Sequence, residues 1–110
     1  MTPPAQAERL RIFIGEADRH AGRPLVEVLV YEAKKAGLAG ATVLRGLMGY
    51  GANALVHTSK ILRLSENLPL VVEIVDDPEK IDAFLPRLAE LMDEGLATRE
   101  PVEVVFYRHR

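Results

Sequence analysis

The stretch Leu70–Gly95, LVVEIVDDPEKIDAFLPRLAELMDEG, changes its hydrophobic period halfway along, and that change decides the fold. Leu70 to Val75 is a near-continuous apolar run, the pattern of a strand buried in a sheet. Asp77-Pro78 then has the form of a helix N-cap followed by a first helical residue. After it, Ile81, Phe84, Leu85, Leu88, Leu91 and Met92 form one stripe at helical spacing, with Gly95 as the expected stop. Pro86 lies inside this helix and removes one backbone hydrogen bond.

Working outward, the same strand-then-helix unit occurs upstream. Leu10, Ile12 and Ile14 alternate with Arg11 and Phe13, which predicts a first strand. The loop GEADRHAGR follows, and Pro24 opens a helix carrying Leu25, Val28, Leu29, Ala33 and Ala36 up to Gly37. Ala41–Leu47 predicts a second strand and Val102–Tyr107 a closing one. The order β-α-β-β-α-β predicts an α+β, ferredoxin-like sandwich: a four-stranded antiparallel sheet with two helices on one face. Residues 1–8 are expected to be a flexible N-terminus and residues 9–110 one domain. With Leu10, Ile12, Ile14, Leu70, Val72, Ile74, Val102, Val104 and Phe106 under the helices, the opposite face would carry Phe13, Val43, Leu47, Val71, Val75, Val105 and Tyr107 among Arg11, Arg45, Glu73 and Glu103. A solvated face is normally more polar, so self-association through it is expected.

Composition narrows the function. The 110 residues are 48% hydrophobic, enough for a core that needs no disulfide or metal. Fourteen Lys and Arg nearly balance sixteen Asp and Glu, so no overall field draws the chain onto nucleic acid or an anionic membrane. There is no cysteine, which excludes thiol catalysis and thiolate metal sites and agrees with a reducing cytoplasm. The stretch MTPPAQAERL shows no basic segment followed by an apolar one, and no long uninterrupted apolar run occurs, so a cytoplasmic protein without membrane insertion is expected. His20, His57 and His109 are scattered, and Ser59 and Ser65 stand in no nucleophile-elbow pattern, so neither an enzyme nor a metal site is expected.

The segments IFIGEADRHAGRPL, GLAGATVLRGLMGYG, the downstream HTS with ILRLSENLPLVVEIVD, and the EGL near the end resemble domain of unknown function 190, a small bacterial and archaeal family grouped with the PII-like signalling proteins. The resemblance covers roughly Arg9 to Tyr107. It implies a homotrimer with inward-facing sheets, clefts between neighbouring subunits that bind adenine nucleotides, and a long loop between strands two and three that senses ligand and touches a partner. Proximity to ion transport among PII-like proteins points to a membrane transporter or channel as that partner. The copper-tolerance relatives of PII supply an alternative, a metal-ion-binding trimer, and a plain interaction module is a third reading.

The loop itself, within RGLMGYGANALVHTSKILRLSENLPL (Arg45–Leu70), is several times longer than a turn requires. Gly46, Gly49 and Gly51 at positive φ would form a phosphate nest, or only a glycine-rich loop. Arg45 would donate to phosphate or pair with Glu73 or Glu103. His57 and Thr58 would reach phosphate or a base edge, or lie solvated, and Tyr50 would stack on a base or pack on a neighbouring subunit. PII proteins also use the turn after helix two, here Glu94, Gly95, Leu96, Ala97 and Thr98, where Gly95 would otherwise be a helix cap. That turn lacks the PII basic residue, so a ligand with few phosphates, AMP-like, is expected. A basic tail, Tyr107, Arg108, His109 and Arg110, would close over the ligand or lie free. Asp18, Arg19 and His20 near the first helix complete the candidates.

Overall fold

The structure is a computed structural model that describes residues 1–51 and 67–109, together with the backbone of residues 57–58. The run of small residues after Tyr50 predicts a loop from Tyr50 to Ile61 that is mobile without ligand or partner; that expectation, and the one for Arg110, lie for the most part outside the described residues.

Strand β1 (Ala5–Gly15) runs into a small hairpin, β2 (Arg19–His20) and β3 (Arg23–Pro24), and then helix α1 (Leu25–Lys35). Next come β4 (Thr42–Arg45), the short β5 (Met48–Gly49) and β6 (His57–Thr58), the central β7 (Pro69–Asp76), helix α2 (Pro78–Leu91) and β8 (Leu96–Val104). The main sheet has the order β4-β7-β1-β8, antiparallel throughout, which is the ferredoxin-like arrangement. Its helix-covered face supplies Leu10, Ile12, Ile14, Leu70, Val72 and Ile74. These meet Leu25, Val28, Leu29 and Ala33 of α1 and Ile81, Phe84, Leu88 and Leu91 of α2 in one buried core. Alternation marks Leu10, Ile12 and Ile14 in the sequence, and Leu70, Val72 and Ile74 belong to the near-continuous apolar run read as a buried strand.

Local chemistry sets the helix ends. Gly37, at φ 82°, lets its N–H donate to the Lys34 carbonyl at 3.0 Å while Leu38 N–H donates to Ala33 at 3.1 Å, a Schellman closure with Leu38 turned into the core. Helix α2 starts at Pro78 as expected and continues through Pro86, whose ring leaves the carbonyl four residues back without its helical donor. It ends at Leu91, four residues before the expected stop at Gly95.

Strand boundaries and faces differ from the expectation in specific ways. Residues 5–8, expected to be flexible, belong to β1, where Ala5 to Glu8 pair with Val104 to Pro101. The last strand begins at Leu96 and ends at Val104, well ahead of the expected Val102–Tyr107. The polar sequence Thr98-Arg99-Glu100-Pro101 concealed it, since an edge strand needs little apolar content and tolerates proline. Leu10 faces Arg99 and Ile12 faces Ala97, so Arg99, Pro101 and Glu103 share the helix side while Val102 and Val104 share the other. Phe106 is exposed beyond the strand rather than buried. Likewise Val43 pairs with Val72 and Arg45 with Leu70, which moves both to the helix side and puts Leu44 on the open face. A one-residue change of register exchanges the faces of a whole strand.

The open face therefore has a regular pattern. Leu44, Val71, Phe13 and Leu96 form an apolar row across all four strands, followed by the row Thr42, Glu73, Arg11, Thr98 and then by Val75, Arg9, Glu100. Arg11 Nε donates to Glu73 at 2.8 Å, and Arg9 Nε donates to Glu100 at 3.0 Å. On the other face Arg99 ties β8 to its surroundings, donating to Glu8 on β1 and, at 2.7 Å, to Asp82 on α2.

Candidate functional site

At the end of the sheet where β1 leaves and β7 enters, a cleft of about 410 Å³ is lined by Phe13, Gly15, Asp18, Asn67, Pro69 and the two segments Gly49–Gly51 and Glu94–Leu96. Each wall has a local cause. Asp18 closes the turn after β1, its Oδ2 accepting from Gly15 N–H at 2.9 Å, while Leu25 N–H donates to the Asp18 carbonyl at 2.8 Å. The β2–β3 hairpin beyond it turns through Ala21 and Gly22, both at positive φ, as a two-residue hairpin turn requires. Asn67 clamps this turn to the start of β7: its Oδ1 accepts from Ala17 N–H at 2.7 Å, and Glu16 N–H donates to the Leu68 carbonyl at 2.8 Å. Gly95, at φ 132°, opens β8 with its Cα beside the Phe13 carbonyl; a Cβ there would approach that oxygen to 3.1 Å. Among the described residues the positive-φ glycines are Gly22, Gly37 and Gly95.

Of the residues singled out in the sequence, the cleft unites Gly49, Tyr50 and Gly51 with Gly95, from two segments far apart in the chain. Gly46, Gly49 and Gly51 do not have the positive φ expected of a nest. Gly46 and Gly49 instead lie against Pro69: a Cβ would come within 2.7 Å of its ring carbon at Gly46 and 3.2 Å at Gly49, and Gly46 N–H donates to the Pro69 carbonyl at 2.7 Å. Close approach to a neighbouring strand accounts for these two glycines, and the Gly46 donor is already used. Arg45 lies outside the lining and pairs with Glu16 at 3.0 Å, rather than with Glu73 or Glu103, because the register points it to the helix side. Backbone pairing sets His57 opposite Gly49 and Thr58 opposite Met48; their side chains lie outside the described residues. Tyr107 and Arg108 are exposed beyond β8, with the Tyr107 ring 5.9 Å from His109 and the Arg108 guanidinium 4.9 Å from the Phe106 ring centre; neither lines the cleft of its own chain. Arg19 and His20 belong to the hairpin and do not line it either.

Phe13, Asn67 and Pro69 were not anticipated as lining. Asn67 and Pro69 bracket Leu68 at the start of the central strand, and that Asn-x-Pro spacing was the available signal. The charged side chains of the described lining are Asp18 and Glu94, both carboxylates. Among the described residues, no group of three or more His, Asp or Glu converges as a metal site, and no helix is long and apolar enough to cross a membrane. The carboxyls held below their ordinary proton affinity lie elsewhere: Glu32 through its hydrogen bond from Arg87, and Glu100 through its hydrogen bond from Arg9.

Comparison with known proteins agrees with this architecture. Among solved structures, a PII-like signalling protein of Thermus thermophilus superposes with a TM-score of 0.67 at 22% identity, covering 91% of this chain and 90% of that one. The structure of CPII from Thiomonas intermedia K12, bound to ADP and bicarbonate, superposes with a TM-score of 0.58 at 15% identity over 91% and 89% of the two chains. Likenesses at these identities establish a PII-like fold. In sequence, a UPF0166 protein of Aquifex aeolicus (strain VF5) is 42% identical over 97 residues, 88% of this chain and 91% of the relative. A UPF0166 protein of Methanocaldococcus jannaschii is 37% identical over 87 residues, 79% and 80% of the two. The family model for DUF190, described as "Uncharacterized ACR", matches residues 7–104. The chain therefore belongs to the DUF190 family, domain of unknown function 190, and has the PII-like fold.

Proposed function

We propose that the protein is a PII-like regulator that binds an adenine nucleotide with few phosphates, AMP-like, in the cleft beside Gly49–Gly51 and Glu94–Leu96. In this reading the cleft lies between subunits of a homotrimer, and the ligand biases the long loop that leaves it. The observation that carries the proposal is the convergence of these two segments with the Asp18 turn in one cavity of ligand size. The Thiomonas protein, of the same fold, was solved with ADP, AMP and bicarbonate. Tyr50, largely exposed at the cleft, offers a ring for stacking on a base. Asp18 and Glu94 disfavour a long polyphosphate by like-charge repulsion, which is why a monophosphate fits the reading better than a triphosphate.

A regulator requires a ligand that discriminates between two conformations, since equal affinity for both shifts nothing. In this reading the conformational element is the long loop that follows Gly51 in the chain, and its target is a protein, read from the resemblance as a membrane transporter or channel. Self-association uses the open sheet face with its row Leu44, Val71, Phe13 and Leu96, whose Phe13 and Leu96 end also lines the cleft. Calorimetry with AMP, ADP, ATP and cyclic AMP on the intact oligomer tests the proposal. Heat from AMP with weaker ATP binding is expected; silence from all four overturns it and advances metal titration as the next experiment.

A further inference from the structure

A second groove, larger than the cleft at about 880 Å³, lies between α1 and β4, and its apolar wall is Val26, Val30, Tyr31 and Val43. Tyr31 is 56% exposed and Val43 41% exposed. Strand β4 is the outermost strand of the main sheet, so the groove runs beside an edge of backbone donors and acceptors with no strand partner among the described residues. At the opposite edge, β8 pairs with β1 as far as Val104 and Ala5, while β7 reaches only Glu8 of β1. The last pairs are therefore a two-stranded ribbon projecting past the sheet, and such a ribbon is marginal in water without something to pack on. From its tip extends the apolar segment Val105, Phe106 and Tyr107, with Val105 75% and Phe106 67% exposed.

We propose that Val105–Tyr107 of one copy seats in the α1–β4 groove of the next. The inference rests on the self-association reading above and is independent of the nucleotide. Groove and segment lie at opposite edges of one four-stranded sheet, so a copy that fills its neighbour's groove still offers its own. The contact is head-to-tail, and a head-to-tail contact whose rotation closes makes a ring. The charges match as well. Glu27 stands at the N-terminal end of the groove and Lys34 and Lys35 at its C-terminal end; the inserted segment carries Glu103 before its apolar residues and Arg108 after them. The separation of Glu27 from the lysines is about 11 Å along a helix, and that of Glu103 from Arg108 is about 16 Å along an extended chain, a difference that long Lys and Arg side chains span. With the segment running from the lysine end towards Glu27, each acid meets a base and the Phe106 and Tyr107 rings lie over Val30 and Tyr31.

The chain has no cysteine, so site-directed cross-linking reads this contact without background. Tyr31→Cys and Phe106→Cys are made separately and together, with Val43→Cys and Tyr107→Cys as a second pair; all four positions are at least partly exposed, so folding is preserved. Under mild oxidation, and at the mass found by light scattering, a mixture of the two single variants of one pair is expected to give a covalent dimer. The double variant is expected to give a ladder ending at a closed ring, and each single variant alone should give none. An oligomer in which neither pair cross-links between copies overturns the proposal and leaves self-association standing. Efficient cross-linking within one chain, or of a single variant with itself, also overturns it, whereas a monomer in light scattering removes the self-association reading as well.

Discussion

Asp76 is the charged or polar residue buried among the described residues, 2% exposed at the end of β7, and its two oxygens hold two different backbone segments. Oδ2 accepts from Ala39 N–H at 2.8 Å and Oδ1 from Asp77 N–H at 2.7 Å. The first of these bonds ties down the turn between α1 and β4, and through it the start of the strand that leads to Gly49–Gly51. Replacing Asp76 with Ala removes both acceptors. A hydrogen bond to a charged group contributes about 1.5–3 kcal/mol, so loss of two sets an upper range of about 3–6 kcal/mol. Ala39 as a residue is exposed, so solvent can replace part of what its N–H loses, which brings the expectation to roughly 2–4 kcal/mol. Asp76→Asn keeps one oxygen and turns an N–H₂ towards a backbone N–H, and should fall between wild type and Ala. With a urea slope of about 1–3 kcal/mol/M, the Ala variant should lower the midpoint by roughly 1–3 M. Amide exchange should accelerate first at Ala39 and Asp77. A midpoint shift below about 0.3 M, with both amides still protected, would show that the carboxylate is not the tether described here.

Other perturbations separate cleft from scaffold. Tyr50→Ala should weaken AMP binding by about 2- to 10-fold in calorimetry, the range of an aromatic contact, with the unfolding midpoint unchanged because the side chain is exposed. Gly95→Ala places a Cβ at φ 132° against the Phe13 carbonyl and should cost about 1–3 kcal/mol in thermal or urea unfolding; a neutral result would mean that the turn relaxes freely. Val71→Asp, in the centre of the apolar row, should abolish the proposed self-association, giving a monomer mass in light scattering while far-ultraviolet circular dichroism is retained. Glu32 and Glu100 have folded-state proton affinities below the ordinary carboxylate range, so their contribution to stability is complete at neutral pH and disappears as pH falls below that range towards their lowered pKa values. Glu32→Gln combined with Glu100→Gln should flatten the acid limb of stability against pH; an unchanged limb would assign acid sensitivity to other groups.

The candidate site was partly legible in the chain. Glycine punctuation around Tyr50 and the EGL turn marks two segments that fold into one cleft, but the nest alternative for the glycines does not hold: Gly46 and Gly49 make room for Pro69, and the positive φ belongs to Gly95. Arg45 illustrates the limit. Its charge was obvious, but whether it meets Glu73, Glu103 or Glu16 depends on which side of β4 it faces, and that is a matter of strand register.

What the chain by itself determined is the set of elements whose period is strong: the alternation around Leu10–Ile14, the apolar run of β7, the stripes of α1 and α2, and hence the ferredoxin-like order. These follow from residues that must all leave water on one side, a constraint that acts locally and is written in spacing. The first two thirds of strand β8, Leu96 to Pro101, had no such signal, because an edge strand half surrounded by solvent buries little, and the strand is held by nine residue pairings with β1. Tertiary structure alone decided the register that puts Val43 on one face and Leu44 on the other, the convergence of Gly49 with Gly95, and the burial of Asp76 between two segments. Each depends on which backbone hydrogen bonds form between distant strands, and since a slip of one residue satisfies the backbone equally while exchanging the faces, only the packed sheet selects among them.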